Sequence, residues 1–385
     1  MARHLISSVR LFDGDSVSHE SAYVEIAEGI IIGITDERPA DLRGDLTEIS
    51  GAGCTLLPGL IDGHVHVYNQ ARECLGQSLA YGVTTVIDLH NEAPWAEEAK
   101  RLARERNDVA DILSSFNSAT IPRGWPRNVF LSLDSSDEET GEGFNLVPEE
   151  ELLNTPSMIV QQTLVESAHR HSVLAVAHAM NHSDTHAVLQ AGVDAVVHSL
   201  MDKPPTTELI AAFKDSGAFV VPTLTVTASN TGAEAESRAR FADGLAGLQK
   251  ENLCACTRYA RTSQSIQAGY DQVRALQAAG VDIVCGTDAS PGFAGMHIGL
   301  SLHHELWLYV HRCGMSPMEA LKTTTSVSAR RWRLLDRGQI AVGKKADLVL
   351  VRGDPTKDIG VTTNIVGVWR NGDRMLHPQY APLTA

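Results

Sequence analysis

The chain has 385 residues, with 32 Lys and Arg against 47 Asp and Glu and a formal charge of −15. That length holds one large domain and a smaller appendage, and so acidic a balance excludes nucleic acid or an anionic membrane surface as the main partner, since both require a basic face. No apolar run approaches the roughly 20 residues of a membrane span, no signal-peptide pattern opens the chain, and the six cysteines are scattered, so reduced thiols and a cytoplasmic location are expected.

Taken in order, residues 4–10, 22–26 and 30–34 are short apolar runs separated by turns, the texture of a small antiparallel sheet. Residues 56–67 follow as a buried apolar run, bent at Pro58-Gly59 and ending in His64-Val65-His66. In a strand, side chains at i and i+2 point to one face, so both imidazoles aim at one place. Neutral imidazole is the commonest protein ligand for a transition metal. Taken alone, the pair reads better as two chance histidines on a half-buried strand.

Beyond it the pattern becomes helix, glycine, apolar strand, repeated: 74–81, Gly82 and 83–88; 156–171 and 173–178; 185–191, Gly192 and 194–198; 208–216, Gly217 and 218–223; 258–279, Gly280 and 281–288. Glycine stands where a helix C-cap takes a positive φ. Residues 96–106 read as a surface helix, and 109–116 as the strand after it. Residues 303–313 and 317–334 close the series as helices. Alternation of this kind predicts parallel βα units and, summed, an α/β fold of the (β/α)8 TIM-barrel type with active-site groups at strand C-termini. The C-terminal stretch returns to strand and turn at 338–340, 343–351 and 365–371. The expected division is therefore a composite β-domain from residues 1–55 and 338–385 around a barrel of residues 56–337.

The histidines gain meaning from this layout. His178, His198 and Asp288 each end a barrel strand, as His64 and His66 do, and strand ends converge on one mouth. Five metal-competent side chains at that place argue against coincidence. A zinc held by imidazoles and a carboxylate brings its water to a pKa of about 7 and polarises a carbonyl. Asp288 would then take up the water proton and pass it to a leaving nitrogen. A small-molecule substrate is the expected partner, and a homo-oligomer is compatible with the sequence.

The motifs Pro58-Gly59-Leu60-Ile61-Asp62-Gly63-His64-Val65-His66, Ala177-His178-Ala179, Val197-His198 and Gly286-Thr287-Asp288 resemble those of the amidohydrolase superfamily of metal-dependent hydrolases, in its imidazolonepropionase-like and prolidase-like branch. Gly338-Gln339-Ile340 and Gly343-Lys344-Lys345-Ala346-Asp347-Leu348 match that family's return strand. The resemblance implies that His64, His66 and Asp288 bind metal, that His178 is a further ligand, and that His198 is either a second-metal ligand or a substrate contact. It implies hydrolysis of a C–N bond in a cyclic amide, an N-acyl amino acid or a dipeptide-like molecule.

Two departures stand out. Binuclear members bridge their metals with a carboxylated lysine on the fourth strand, whereas no lysine lies between Lys100 and Lys203 here. The candidate fourth strand at residues 129–134 offers Leu or Ser instead, and Glu138, Glu139 and Glu142 read as solvated loop. One metal ion is therefore expected, Zn2+ first, with Fe2+ and Mn2+ as alternatives. Residues 117–128 are also too short and too proline-rich to build a crossover helix, so the barrel is expected to be incomplete around strands 3 and 4. The alternative reading is a relic that keeps the ligands without turnover.

Other polar groups have plainer expectations. His182 and His186 read as an exposed helix start capped by Ser183 or Asp184. His303, His304 and His311 read as helix packing and surface. Residues 228–247 read as a mobile polar loop over the mouth, and Trp95 and Trp125 as loop residues after strands.

Overall fold

The structure is a computed structural model that describes residues 3–40, 46–120 and 155–375. The chain opens with β1 (Arg3–Phe12), β2 (Val17–Ala27) and β3 (Ile30–Thr35), an antiparallel meander. β4 (Leu46–Ser50) and β5 (Cys54–Pro58) then run parallel to β1. Six barrel strands follow: β6 (Leu60–Val65), β7 (Val83–Asp88), β8 (Asp111–Ser114), β9 (Val176–His178), β10 (Ala195–Val197) and β11 (Phe219–Val221). Finally β12 (Leu348–Arg352) pairs antiparallel with β5, β13 (Ile365–Arg370) with β12, and β14 (Asp373–Arg374) with β13. Strands from both ends of the sequence thus share one sheet, ordered β14-β13-β12-β5-β1-β2-β3 with β4 beside β1. Because β5 belongs to that sheet, the sheet reaches beyond residue 55.

Strand burial follows position. In β2 buried and open residues alternate toward its end, the mark of one solvated face. β5 and β6 are buried throughout, and both are continuous apolar runs save for the site residues. The barrel strands form two parallel arcs, β6-β7-β8 and β9-β10-β11. Residues 281–289 bridge β11 of one arc to β6 of the other. The Val284 amide donates to the Val220 carbonyl at 2.9 Å, Gly63 to Cys285 at 2.8 Å, and His66 to Ala289 at 3.0 Å. Helices pack outside: α1 (Ala71–Ala80), α2 (Ala93–Glu105), α3 (Met158–Arg170), α4 (His182–Ala191), α5 (Thr207–Ser216), α6 (Leu224–Thr231), α7 (Ala235–Phe241), α8 (Gly247–Cys254), α9 (Ile266–Ala278), α10 (Leu300–His311), α11 (Pro317–Thr323) and α12 (Ser326–Arg331). This is the TIM-type barrel the alternation predicts.

Several expected boundaries shift for local reasons. The strand expected at 281–288 meets its neighbours only by isolated bridges, Val220 with Ile283 and Val65 with Ala289. The helix expected over 258–279 starts at Ile266, where the Ser265 hydroxyl accepts from the Gln267 amide at 3.1 Å, while Arg258 sits at φ 55°. The helix expected over 317–334 divides into α11 and α12 because Thr325 leaves helical geometry, at φ −127° and ψ −102°. Its hydroxyl donates to the carbonyls of Leu321 and Gly14. Residues 228–247 are not an open loop: they hold the end of α6, all of α7 and the start of α8, and Ala228, Ser229, Ser237 and Arg238 are buried. Residues 338–340 form a connection, with the Ile340 amide bonded to the Asp13 carbonyl at 2.9 Å. Trp95 lies inside α2, not in a loop. α4 is capped by Asn181, whose side chain accepts from the Asp184 amide, rather than by Ser183 or Asp184. The expected fourth strand, Glu138, Glu139, Glu142 and Trp125 fall outside the described residues, as does nearly all of the short 117–156 span.

Candidate metal centre

The C-terminal end of β6 sets the site. Asp62, His64 and His66 alternate along it, so period-two geometry gives all three one face. The buried Asp62 carboxylate accepts from the Thr287 amide at 3.0 Å, the Thr287 hydroxyl at 2.8 Å and the His64 amide at 3.2 Å. It therefore ties the histidine strand to the segment that carries Asp288. Burial pushes its pKa up to about 7, against those three donors. Two glycines allow the strands to meet this closely. A Cβ on Gly63 would stand 2.8 Å from the Cys285 carbonyl oxygen, and one on Gly286 would stand 2.8 Å from the His64 nitrogen.

His64 Nε2 lies 3.3 Å from His66 Nε2 and 3.3 Å from Asp288 Oδ1, and His66 Nε2 lies 3.0 Å from the same oxygen. His198 stands on the other side, Nδ1 3.9 Å from Asp288 Oδ2 and 2.8 Å from the Thr223 hydroxyl. One donor atom each from His64, His198 and Asp288 lies within 4.8 Å of the others. His198 (φ 78°), Asp288 (φ 60°) and Thr223 (φ 49°) all take left-handed backbone. Non-glycine residues adopt that region at a cost of order 1 kcal/mol or more, and such strain concentrates at functional sites. Tyr68 stacks on His66 with centroids 5.5 Å apart.

The electrostatics suit cation binding. Burial holds His64 neutral, its pKa down to about 3, with Asp288 only partly opposing. Burial and the neighbouring His178 likewise push His198 well down. For His66 burial again lowers the pKa, but its bond to Asp288 and the nearby carboxylates outweigh it, and the net shift is upward. Burial works to raise Asp288, yet His64, His66 and His198 together hold its carboxyl well below the usual range. His66 Nδ1 faces the His90 carbonyl at 3.2 Å. That acceptor fixes the Nδ1 proton and leaves Nε2 to face the cluster. The other nitrogen of His64, Nδ1, is buried with no hydrogen-bond partner among the described residues. Imidazole nitrogens and carboxylate oxygens converging in a buried place, with no lysine or arginine among them in the described residues, fit a divalent cation.

All five residues singled out in the sequence reach this mouth, in unequal positions. His64, His66, His198 and Asp288 face one another directly. His178 stands beside them at the open side, its ring edge-on to His198 with centroids 4.3 Å apart. His303 and His304 are buried packing residues; His303 bonds Thr362 and the Tyr81 carbonyl, each at 2.9 Å. The sequence reading passed over Asp62, Asp88 and Thr223. Asp62 had a visible signal, since it lies two residues before His64 on the same strand face. Asp88 ends β7, where it accepts from Asn91 at 2.8 Å and stands 3.8 Å from His66 Nδ1. Burial raises its pKa to about 6, with His66 opposing.

Comparison with known proteins agrees with this geometry. The family model described as the amidohydrolase family matches residues 55–375. An imidazolonepropionase of Salinispora arenicola is 25% identical over 376 residues, covering 90% of each chain. Among solved structures, a Bifidobacterium longum protein provisionally described as a prolidase superposes with a TM-score of 0.78 at 20% identity, covering 99% of this chain and 96% of that one. A Xaa-Pro dipeptidase with methionine bound in its active site gives 0.74 at 20% identity, covering 97% and 100%.

Proposed function

From the premise that this chain belongs to the amidohydrolase family, we propose that it is a metal-dependent hydrolase of a C–N bond in a small molecule: a cyclic amide, an N-acyl amino acid or a dipeptide-like compound. The observation that carries the reading is the convergence of His64, His66, His198 and Asp288 at the strand ends, where Asp288 lies 3.0–3.9 Å from each of the three imidazoles. The imidazolonepropionase and dipeptidase names of its relatives support the bond type. A divalent cation there supplies Lewis acidity, bringing water toward a pKa of about 7 and polarising a carbonyl. His64, His66, His198 and Asp288 would hold it, with His178 at the rim. Asp288 keeps a charged oxygen available at neutral pH, so it can take a proton from water and return it to the departing nitrogen. Asp62 and the His90 carbonyl keep the donors aimed.

The chain has no lysine between Lys100 and Lys203 to serve as a carboxylated bridge, so the site is read as holding one ion, zinc in the first instance. The same gap favours a second reading, a chain that binds the cation without turnover. Protein loaded with Zn2+ and protein stripped by chelator, assayed on N-acyl amino acids, Xaa-Pro dipeptides, cyclic amides and lactones, separate the two. Amide hydrolysis that disappears on stripping and returns with zinc is the expected result. Activity confined to lactones sinks the C–N assignment, and two tightly held equivalents of metal sink the single-ion one.

A further inference from the structure

Thr223 holds the N-cap position of α6, yet its side chain makes no capping bond. Its hydroxyl is turned the other way, onto His198 Nδ1 at 2.8 Å. The first amides of α6 are instead taken by Glu305, which reaches across from α10. Glu305 Oε1 accepts from the Leu224 amide at 2.8 Å and Oε2 from the Thr225 amide at 2.7 Å. The carboxylate is wholly buried, and among the described residues no Lys or Arg pairs with it. A serine, threonine or aspartate at the N-cap ordinarily does this work locally. Burying an acid on a neighbouring helix for the same purpose frees the N-cap hydroxyl for the site.

The second clamped residue also leads to the site. Thr225 donates its hydroxyl to the Thr287 carbonyl at 3.2 Å, next to Asp288. One carboxylate therefore fixes a three-residue turn that touches both His198 and the segment bearing Asp288. All three of Thr223, His198 and Asp288 hold left-handed backbone that an unsupported chain would leave. We propose that Glu305 is a positioning residue for the cation site, which it serves by clamping the 223–225 turn so that Thr223 and Thr225 hold His198 and Asp288 in place. This inference rests on the cation reading given above.

The test is zinc affinity, measured by competition with a chromogenic chelator at pH 7, for the parent chain and Glu305→Gln, alongside circular dichroism. Loss of a partner behind a metal ligand typically weakens binding about 10–100-fold, and that loss is expected with the folded spectrum kept. Thr223→Val, which deletes the hydroxyl at nearly constant shape, should weaken binding in the same range, and the double variant should lose no more than the weaker-binding single one. Should Glu305→Gln fail to fold, Glu305→Asp, which withdraws the acid by one methylene, is read by the same criterion. Folded Glu305 variants that bind zinc as tightly as the parent overturn the proposal and leave the metal reading standing. A parent chain that takes up no zinc overturns both.

Discussion

The barrel carries a buried charge cluster at each end, and the two are built differently. At the N-terminal end Asp111 opens β8, 2.6 Å from Arg337 and 3.3 Å from Arg370, with Arg337 also bonded to the Thr85 hydroxyl at 2.9 Å. Asp347 lies beside both guanidiniums. Burial works to raise the Asp111 pKa, and Arg370 and Arg337 outweigh it. These cations cannot give up their protons, so the cluster is complete in itself and joins barrel to sheet. At the C-terminal mouth the ion-pair partners of Asp288 among the described residues are imidazoles: burial keeps His64 and His198 neutral, while His66 is shifted toward its charged form. Imidazoles, unlike guanidiniums, can release a proton to make room for a metal, so this is a set that a cation completes. The lower cluster joins barrel to sheet; the upper one is the proposed cation site.

The widest separation between them should come from Asp288→Asn. Loss of one placed acid–base group lowers turnover by roughly 10²–10⁴-fold, while the denaturation midpoint should hardly move. Full turnover with metal bound would show that Asp288 is not the base. Asp111→Ala should do the reverse, costing about 2 kcal/mol in urea unfolding by removing a carboxylate partner from two buried guanidiniums and leaving them to Asp347 and Asp336. Zinc affinity should stay at the parent value; a large loss of affinity would mean the two ends are not independent.

Gly286→Ala tests the contact between β6 and residues 281–289. Its new methyl must displace Val221 and the His64 backbone, a strain of about 2 kcal/mol, and here stability and zinc affinity should fall together. An affinity unchanged in a destabilised protein would place His64 outside the cation shell. The effect that is smallest per step is the dependence on pH. A proton competes with the cation at His66, whose pKa stands above the ordinary histidine value, so affinity should fall as pH drops through that raised value. With one proton displaced the slope is about tenfold per pH unit. Chelator competition from roughly pH 8 down to 5 covers the range where histidine titrates, and a flat profile would remove His66 from the ligands.

Much of this was legible in the sequence, and the illegible part has a common cause. The spacing of His64 and His66 follows from strand period alone. Gly82, Gly192, Gly217 and Gly280 each take positive φ, between 69° and 93°, where the helix-to-strand breaks were expected. His198 and Asp288 were placed because strand ends can be read from the end of an apolar run. By contrast, the partners of Asp62, Thr223 and Glu305 lie 225, 25 and 81 residues or so away in sequence. Nothing local marks such a contact. Glu305 looked like one more polar residue in a histidine-rich helix, although it is as deeply buried as Leu302 and Leu306. The break at Thr325 is hidden for a related reason, because its hydroxyl reaches the distant Gly14 carbonyl as well as Leu321 of its own helix.

The sheet shared by both ends of the sequence bears on how the chain is made. β5 is buried along its whole length, and one edge of it is paired only with β12. Between the two lies the entire barrel, so on the ribosome that edge stays open until almost all the chain has emerged. Contacts closed across so long a span slow folding, and unpaired apolar edges invite association meanwhile. A nascent chain of this design needs either a fast-forming barrel to shield Leu56 and Leu57 or a chaperone to cover them until Leu348 arrives.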